Sequence, residues 1–330
     1  MKKALVVAPI ATALLAASCS TTEDGSETAA QDTTTQNSAT LDNCGVEIHV
    51  DTPVQRAVAL EQGASDTLLM LGASEQIAGV GHQKDNPPDG LPKPKAIADQ
   101  IPTAEQIRAA DADFIYSPFE LVWTADSAGT REEWQKAGVA TYLTNTECSD
   151  YGENAGKNSF ELIERDLTEL GQLFGHEDKV AELIEQQRDT LDKAQQAPDG
   201  TTFMLLYSSL GGAPYVAGGP SIVTEMGRAV NMTNVFEDVK EEWPQVSWEE
   251  VAQADPDVIV IADLPVRGEP GDTWQEKVTD LENNPGTREM QAVKKERYIV
   301  VPGVATSASA RSYQAVQAMS DAITSGIADN

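Results

Sequence analysis

Short apolar segments alternate with amphipathic segments along most of the chain. The apolar segments include RAVALEQG, IAGVG and DFIYSPF in the first half, and TFMLLYSS, DVIVIADL and ERYIVVPG in the second. They are short and rich in β-branched or aromatic residues, as buried strands are, whereas stretches such as SDTLLMLGAS, TAEQIRAA and SWEEVAQA have a helical period. Strands that alternate with helices predict parallel sheets covered by helices on both faces. We therefore expect an α/β fold.

A purely helical stretch interrupts this alternation in the middle of the chain. Between residues 158 and 196, apolar residues recur three or four positions apart, and Gly175 separates two helices. The chain is therefore predicted to form two Rossmann-like lobes with central parallel sheets, residues 44–157 and 199–330. A long inter-lobe helical connector, residues 158–198, would join them, with a ligand cleft between the lobes.

The two predicted lobes share a short internal repeat. TAEQIRAADADFI at residues 103–115 aligns without a gap on SWEEVAQADPDVI at residues 247–259. Thr103 and Ser247 are each followed three positions later by Gln or Glu, which is the pattern of a capping box at a helix N-terminus. Each copy is thus predicted to be a capped helix that leads into a buried strand, which indicates two lobes of similar topology.

The N-terminal segment predicts export and a lipid anchor. MKKALVVAPIATALLAASCS has two lysines, an apolar run too short to span a bilayer, and small residues before Cys19. This resembles a signal peptide, residues 1–18, with the lipobox of bacterial lipoproteins, although Ala16 stands where Leu is commoner. Residues 19–43 are mostly Thr, Ser, Asp and Gln, which predicts a flexible tether. We expect anchoring to the outer face of the cytoplasmic membrane; ordinary cleavage beside an unrelated cysteine is the alternative.

The cysteine count agrees with a lipid on the first cysteine. The chain has three cysteines, so acylation of Cys19 leaves Cys44 and Cys148 to form a disulfide. The sequence has no Cys-x-x-Cys motif and no clustered histidines, so we favour this disulfide over a metal or redox site.

Composition and charge restrict the possible partners. The 330 residues are 40% hydrophobic, which is enough for a globular core, and the net charge is −30. Nucleic acid is bound through Lys and Arg clusters, and the sequence contains none. We expect a monomer that binds no nucleic acid and carries no metal or other cofactor, and that contacts the membrane through its lipid anchor only.

Two segments carry a family resemblance. RAVALEQGASDTLLMLGASEQIAGVG in the first half and EEWPQVSWEEVAQADPDVIVIAD in the second resemble the substrate-binding proteins of ABC importers for iron(III)-siderophores, haem and cobalamin. The resemblance extends over about residues 44–328. It implies a protein without enzymatic activity, which captures a small ligand in the inter-lobe cleft and delivers it to a permease dimer.

In this family, one glutamate on each lobe pairs with arginines of the two permease subunits. Glu105 and Glu249 match those positions, and the internal repeat places them equivalently. Glu250 is a competing candidate for the second lobe, but it also belongs to the predicted capping box. Exposed acids at a helix N-terminus are favourable on their own as well.

Residues at the carboxyl ends of the predicted strands should line the ligand cleft. Aromatic faces with a few polar groups suit a bulky planar or chelated ligand, and Arg267 and Arg311 could pair with an anionic siderophore or a carboxylate. The ligand favoured by the resemblance is a ferric siderophore. The predicted ligand-binding residues are Glu61, Gln62, His82, Lys84 and Phe119 in the first lobe, and Tyr207, Tyr215, Trp243, Arg267 and Arg311 in the second.

Several alternatives stay open at this point. Cobalamin fits the same cleft chemistry, and haem would need an axial ligand, for which His82 and Tyr207 are candidates. A zinc or manganese site needs clustered ligands, whereas His49, His82 and His176 lie on separate elements. An exported enzyme is a further alternative, although the sequence contains none of the common catalytic motifs. A structural surface lipoprotein is another, and it would have a filled interface between the lobes.

Overall fold

The structure, a computed structural model, describes residues 37–329. Its first element is an antiparallel hairpin of β1 (Asn37–Asn43) and β2 (Val46–Thr52). Leu41 packs against the core, and the buried Asn43 side chain donates a hydrogen bond to the Leu143 carbonyl at 2.9 Å. The last seven residues of the predicted tether therefore form a strand, because all of them pair with β2 and Ala39 and Leu41 pack against the core. The predicted signal peptide and Cys19 lie outside the described residues.

The first α/β lobe contains a four-stranded parallel sheet in the order β4-β3-β5-β6. Both faces are covered, so the strands are mostly apolar, as the sequence pattern predicted; Ser117 and Thr141 are buried polar exceptions. The strands are β3 (Ala57–Ala59), β4 (Ile77–Val80), β5 (Phe114–Ser117) and β6 (Ala140–Leu143).

The second lobe contains a five-stranded sheet in the order β11-β10-β7-β8, with β9 paired to β7. All its pairings are parallel except that of β8, which runs antiparallel to β7. The predicted parallel sheet is thus present with one antiparallel edge strand. The strands are β7 (Thr202–Ser208), β8 (Tyr215–Val216), β9 (Thr233–Asn234), β10 (Val258–Asp263) and β11 (Tyr298–Pro302).

Helices flank both sheets and connect the lobes. They are α1 (Gln62–Met70), α2 (Ala104–Ala109), α3 (Arg131–Lys136), α4 (Ser159–Phe174), α5 (Glu177–Asp192), α6 (Ile222–Ala229), α7 (Trp248–Ala254), α8 (Trp274–Asn283), α9 (Gln291–Lys294) and α10 (Ser312–Thr324). The connector is the helix pair α4 and α5, divided at Gly175, whose φ of 75° suits glycine at a helix C-terminus. Helix α4 packs against β2 of the first lobe and α5 against α10 of the second. The predicted lobe boundaries themselves stay a prediction.

The internal repeat has the same local geometry in both lobes. Both capping boxes are formed, at the start of α2 and of α7. The helices are followed by Asp111 and Asp255, which both have left-handed backbone, with φ of 54° and 38°. The carboxylate of Asp113 accepts 2.9 Å hydrogen bonds from the backbone just before β3, and that of Asp257 accepts a 2.8 Å bond from the first residue of β7. The repeat is therefore structural and gives α2 and α7 equivalent positions.

The predicted disulfide is confirmed: Cys44 and Cys148 are bonded across 104 positions of the sequence. The bond ties the β1–β2 turn to the segment that follows β6. We expect Cys44→Ser to lower the free energy of unfolding by about 2–4 kcal/mol under oxidising conditions. Urea denaturation checks this, with the wild-type protein in reductant as the control, since it should match the variant. An unchanged midpoint for the variant in oxidising buffer would contradict the prediction.

Candidate functional site

A cavity of about 370 Å³ lies between the two lobes. On the first-lobe side it is bounded by the segments that follow β5 and β6, so it lies at the carboxyl ends of parallel strands, the usual ligand position in α/β sheets. Its lining combines apolar, hydroxyl and acidic side chains with one lysine. The lining residues include Phe119, Thr146 and Glu147 from the first lobe, Lys157 just before α4, Ser159 and Leu162 in the first turn of α4, and Ile222, Glu225, Glu242 and Ser307 from the second lobe.

Two glutamates line this cavity from opposite lobes. Glu147 lies in the turn after β6, and its carboxylate accepts a 2.7 Å hydrogen bond from the Glu120 amide. Glu242 lies before α7, and its carboxylate accepts a hydrogen bond from the side chain of Trp243. Partial burial raises the pKa of Glu147. Glu242 is exposed at its surface, and its pKa is raised by desolvation and by the charge of Glu147.

A third cavity-lining glutamate is already engaged. The carboxylate of Glu225 accepts hydrogen bonds from the amide and hydroxyl of Ser159, at 2.8 and 3.0 Å, at the N-terminus of α4. The backbone dipoles at a helix N-terminus stabilise such a negative charge. Glu225 thus attaches the connector to the second lobe.

Five of the predicted ligand residues form one cluster beside the cavity. The Lys84 ammonium lies 2.6 Å from the Glu61 carboxylate and donates to Tyr207, whose ring lies 4.9 Å from that of Trp243. The Arg267 guanidinium lies 5.6 Å from the centre of the Tyr207 ring. Because Glu61 and Lys84 belong to the first lobe and the other three to the second, the cluster joins the lobes.

The ion pair in this cluster is buried, with the side chains of Lys84 and Glu61 only 7% and 2% exposed. Burial alone would lower the pKa of Lys84, but Glu61 and Tyr207 raise it above its ordinary value. Gln62 holds the segment that carries Lys84, because its side-chain oxygen accepts hydrogen bonds from the Lys84 and Asp85 amides at 2.6 and 2.7 Å.

His82, one of the predicted ligand-binding residues, has a buried ring nitrogen without a hydrogen-bond partner among the described residues. This atom is Nδ1, and the backbone φ of His82 is 45°. Burial, and then the charge of Lys84, lower its pKa, so the imidazole is neutral at pH 7. Phe119 lines the inter-lobe cavity, whereas the half-buried Tyr215 lies in the edge strand β8 beside Gln245 and does not line it.

The two predicted arginines are bound by carboxylates of the protein. Arg267 forms a bidentate pair with Asp272, which raises the pKa of the arginine. Arg311 pairs with Asp66 at 2.9 Å and with Asp85 at 3.2 Å, and burial raises the pKa of Asp66 to about 7 although Arg311 opposes this. Arg311 thereby connects α10 of the second lobe to α1 of the first. Whether either arginine also contacts a ligand stays a prediction.

Some site residues were not identified from the sequence. Glu147 and Glu242 stand next to Cys148 and Trp243, which were both identified, but neither acid was assigned a function. Only their positions in the sequence could have indicated a role: Glu147 follows a predicted strand, and Glu242 precedes a predicted capped helix. The pairing of Asp66 with Arg311 had no sequence signal, because the residues are 245 positions apart.

The predicted docking residues lie on the surface at equivalent places. Glu105 and Glu249 are exposed in the first turns of α2 and α7, and neither has a hydrogen-bond or ion-pair partner among residues 37–329. Glu250, the competing candidate, accepts from the Ser247 amide at 2.7 Å and from its hydroxyl at 2.8 Å, and so completes the capping box. Glu249 is therefore the freer of the two acids.

The described residues include neither a membrane-spanning helix nor a cluster of metal ligands. Between residues 37 and 329, no helix is long and apolar enough to cross a membrane. The same residues contain no group of three or more His, Cys, Asp or Glu side chains that could hold a metal ion.

Comparison with known proteins identifies the family. A family model described as periplasmic binding protein matches residues 58–305, which is most of the chain. The chain therefore belongs to the periplasmic binding protein family, whose members bind solutes for transport. A comparison with curated proteins found no match.

Solved structures of this family share the fold. A periplasmic binding protein from Veillonella parvula is 21% identical, with a TM-score of 0.71 and coverage of 88% of this chain and 98% of that one. An ABC-type Fe³⁺-hydroxamate transport protein from Saccharomonospora viridis is 22% identical, with a TM-score of 0.68 and coverage of 86% and 98%. The haem-binding protein RhuT from Roseiflexus sp. RS-1 is 21% identical, with a TM-score of 0.63 and coverage of 83% and 99%. These likenesses confirm the two-lobed α/β fold predicted from the sequence.

Proposed function

We propose that this protein is the extracytoplasmic substrate-binding lipoprotein of an ABC importer, and that it captures an iron(III)-siderophore in the inter-lobe cavity. The observation that carries the proposal is the cavity itself, bounded by both lobes at the carboxyl ends of parallel strands. Trp243 and Tyr207 stand beside it and supply aromatic surface for a chelated ligand. The Fe³⁺-hydroxamate transport protein among the relatives supports the ligand class.

Delivery would require a membrane anchor and a docking surface. Acylated Cys19 would hold the chain at the outer face of the cytoplasmic membrane, and Glu105 and Glu249 would pair with the two permease subunits. The equivalent placement of α2 and α7 supports this, since two similar acidic sites suit a permease of two similar subunits.

Haem is the second candidate ligand. The unpartnered Nδ1 of His82 favours it, together with the haem-binding proteins among the structural relatives. Against it, the hydroxyl of Tyr207, the other axial candidate predicted from the sequence, already accepts a hydrogen bond from Lys84. Cobalamin, the other alternative, has no comparable support among the described contacts.

Tryptophan fluorescence tests the ligand class. The purified protein, unlipidated through Cys19→Ser, is titrated with a ferric trihydroxamate, haemin and cobalamin. We expect quenching that saturates at one equivalent of the ferric complex and is lost in Trp243→Phe, because this indole stands beside the cavity. Trp274→Phe, which removes an exposed indole on α8, is the matched control and should keep the response. Saturable binding of haemin or cobalamin alone would replace the siderophore, and no response to any of the three would overturn the proposal.

A further inference from the structure

One wall of the inter-lobe cavity is a turn made of polar residues. The turn Asn145–Cys148 follows β6. Thr146 and Glu147 in this turn, and Ser149 directly after it, line the cavity. Because the turn consists of Asn, Thr, Glu and Cys, it has no large apolar side chain to pack into the core. Its position therefore depends on hydrogen bonds and on the disulfide at Cys148.

Asp166, on the connector helix α4, holds the start of this turn. Its side chain is buried, and the carboxylate accepts hydrogen bonds from the Asn145 amide at 2.9 Å and from the Asn145 side-chain nitrogen at 2.7 Å. The same carboxylate accepts a hydrogen bond from the Thr144 hydroxyl. Buried donors are costly to leave without an acceptor, and bonds to a charged acceptor are strong, so these contacts fix the turn relative to α4.

The end of the turn is attached to the same helix through Asn154. The side-chain nitrogen of Asn154 lies 2.9 Å from the Asn145 side-chain oxygen and 3.3 Å from the Cys148 carbonyl, and donates to both. Its side-chain oxygen accepts a hydrogen bond from Arg165 at 3.1 Å. Since Arg165 directly precedes Asp166 on α4, both ends of the turn are held by one segment of the connector.

The connector also contacts the cavity and the second lobe. Ser159 and Leu162, in the first turn of α4, line the cavity, and Ser159 donates both of its bonds to Glu225 of the second lobe. Leu162 and Asp166 are four positions apart, so they lie on neighbouring turns of one helix face. Helix α4 thus forms part of the cavity surface itself and, through Asp166, holds the first-lobe turn that forms another part.

We propose that Asp166 is a positioning residue for ligand binding, and that its carboxylate holds the turn Asn145–Cys148 in place as a preformed wall of the cavity. This inference rests on the proposed function of the cavity. A ligand that meets an ordered wall does not bear the entropy cost of ordering it. If the turn adopted the binding position only about a tenth of the time, the apparent affinity would fall about tenfold.

Two substitutions of Asp166 test the role of its hydrogen bonds. In Asp166→Ala, we expect the dissociation constant for a ferric trihydroxamate, measured by tryptophan quenching, to rise about tenfold with one equivalent still bound. Asp166→Asn should bind within about twofold of the wild-type protein. The asparagine oxygen can accept both Asn145 bonds, and its nitrogen can donate to the Thr144 hydroxyl, so the wall should stay in place.

Hydrogen exchange of the ligand-free protein measures the order of the turn directly. Peptides that cover residues 144–150 should exchange faster in Asp166→Ala than in the wild-type protein, because the Asn145 amide has lost its acceptor. Thr144→Val removes one donor to the same carboxylate and serves as the test if Asp166→Ala does not fold. It should speed exchange less and weaken binding about threefold.

Gln76→Ala is the matched control. The side chain of Gln76 donates to the Val54 carbonyl at 2.7 Å and to the Phe174 carbonyl at 3.0 Å, at the opposite end of α4 from the cavity. The substitution therefore removes polar contacts of the same helix at a distance from the turn. It should lower stability while leaving ligand affinity and the exchange of residues 144–150 unchanged.

The outcomes separate this inference from the proposed function. Wild-type affinity in Asp166→Ala would overturn the positioning role, and so would an equal loss of affinity in Gln76→Ala, which would assign the effect to general destabilisation. Failure of Asp166→Asn to restore binding would overturn it as well. If the wild-type protein binds no ferric trihydroxamate, the proposed ligand class is wrong, and unchanged exchange of residues 144–150 in Asp166→Ala would still show independently that Asp166 does not hold the turn.

Discussion

Replacing Glu105 and Glu249 together by alanine is expected to abolish import while leaving the affinity of the isolated protein for its ligand unchanged. Both carboxylates are exposed, lie in the first turns of equivalent helices, and form no hydrogen bond or ion pair within residues 37–329. Losing both would remove the charges proposed to pair with the permease. Each lobe would then lose about one salt-sensitive ion pair with its permease subunit. The measurement is uptake of radioactive iron, supplied as a ferric trihydroxamate, by cells whose only copy of the gene carries the variant.

A matched control separates docking from a general loss of negative charge. Glu177→Ala with Asp178→Ala removes two exposed acids from the first turn of α5, so it changes the net charge and the helix terminus in the same way. That variant should import normally. Unimpaired uptake by the Glu105 and Glu249 double variant would contradict docking through these residues, and a loss of ligand affinity would show that they act in binding instead.

The sequence predicted the repeating elements of the fold well, because each carried its own local signal. The capped helices α2 and α7 and the apolar strands β5 and β10 were all identified from periodicity and capping residues. The two-residue strands β8 and β9 were not, since two residues cannot show a period. Helix α8 was not identified either, and the fully buried Lys277 on it breaks the apolar face that would have indicated a helix.

The site was predicted only in part, because strand ends can be located from sequence and long-range pairing cannot. Glu61, Lys84 and Tyr207 were identified as residues at or after the carboxyl ends of strands, and the structure brings them together. That Arg311 reaches Asp66 on the opposite lobe depends on how the lobes pack. From the sequence, Arg267 and Arg311 were expected to be available to an anionic ligand. In the structure both arginines pair with carboxylates of the protein, and Glu147 and Glu242 line the cavity.

Replacing Lys84 by methionine is expected to lower the free energy of unfolding by about 3–5 kcal/mol, because it leaves the buried Glu61 carboxylate without its ammonium partner. The pKa of Lys84 is raised above its ordinary value, so the ion pair is fully formed at neutral pH and contributes there. The substitution also removes the hydrogen bond from the first lobe to Tyr207. Urea denaturation at pH 7, followed by circular dichroism, measures the change.

Two further variants identify burial as the cause. In Glu61→Gln with Lys84→Met both charges are gone, and the glutamine oxygen can still accept from the Gly63 amide at the start of α1, so most of the lost stability should return. Lys136→Met breaks an ion pair with the same 2.6 Å separation, to Glu132, but on an exposed helix face where solvent screens both charges. It should change stability little. The prediction would be contradicted if Lys84→Met were no more destabilising than Lys136→Met. In that case water would reach the Glu61 carboxylate, which requires the lobes to separate.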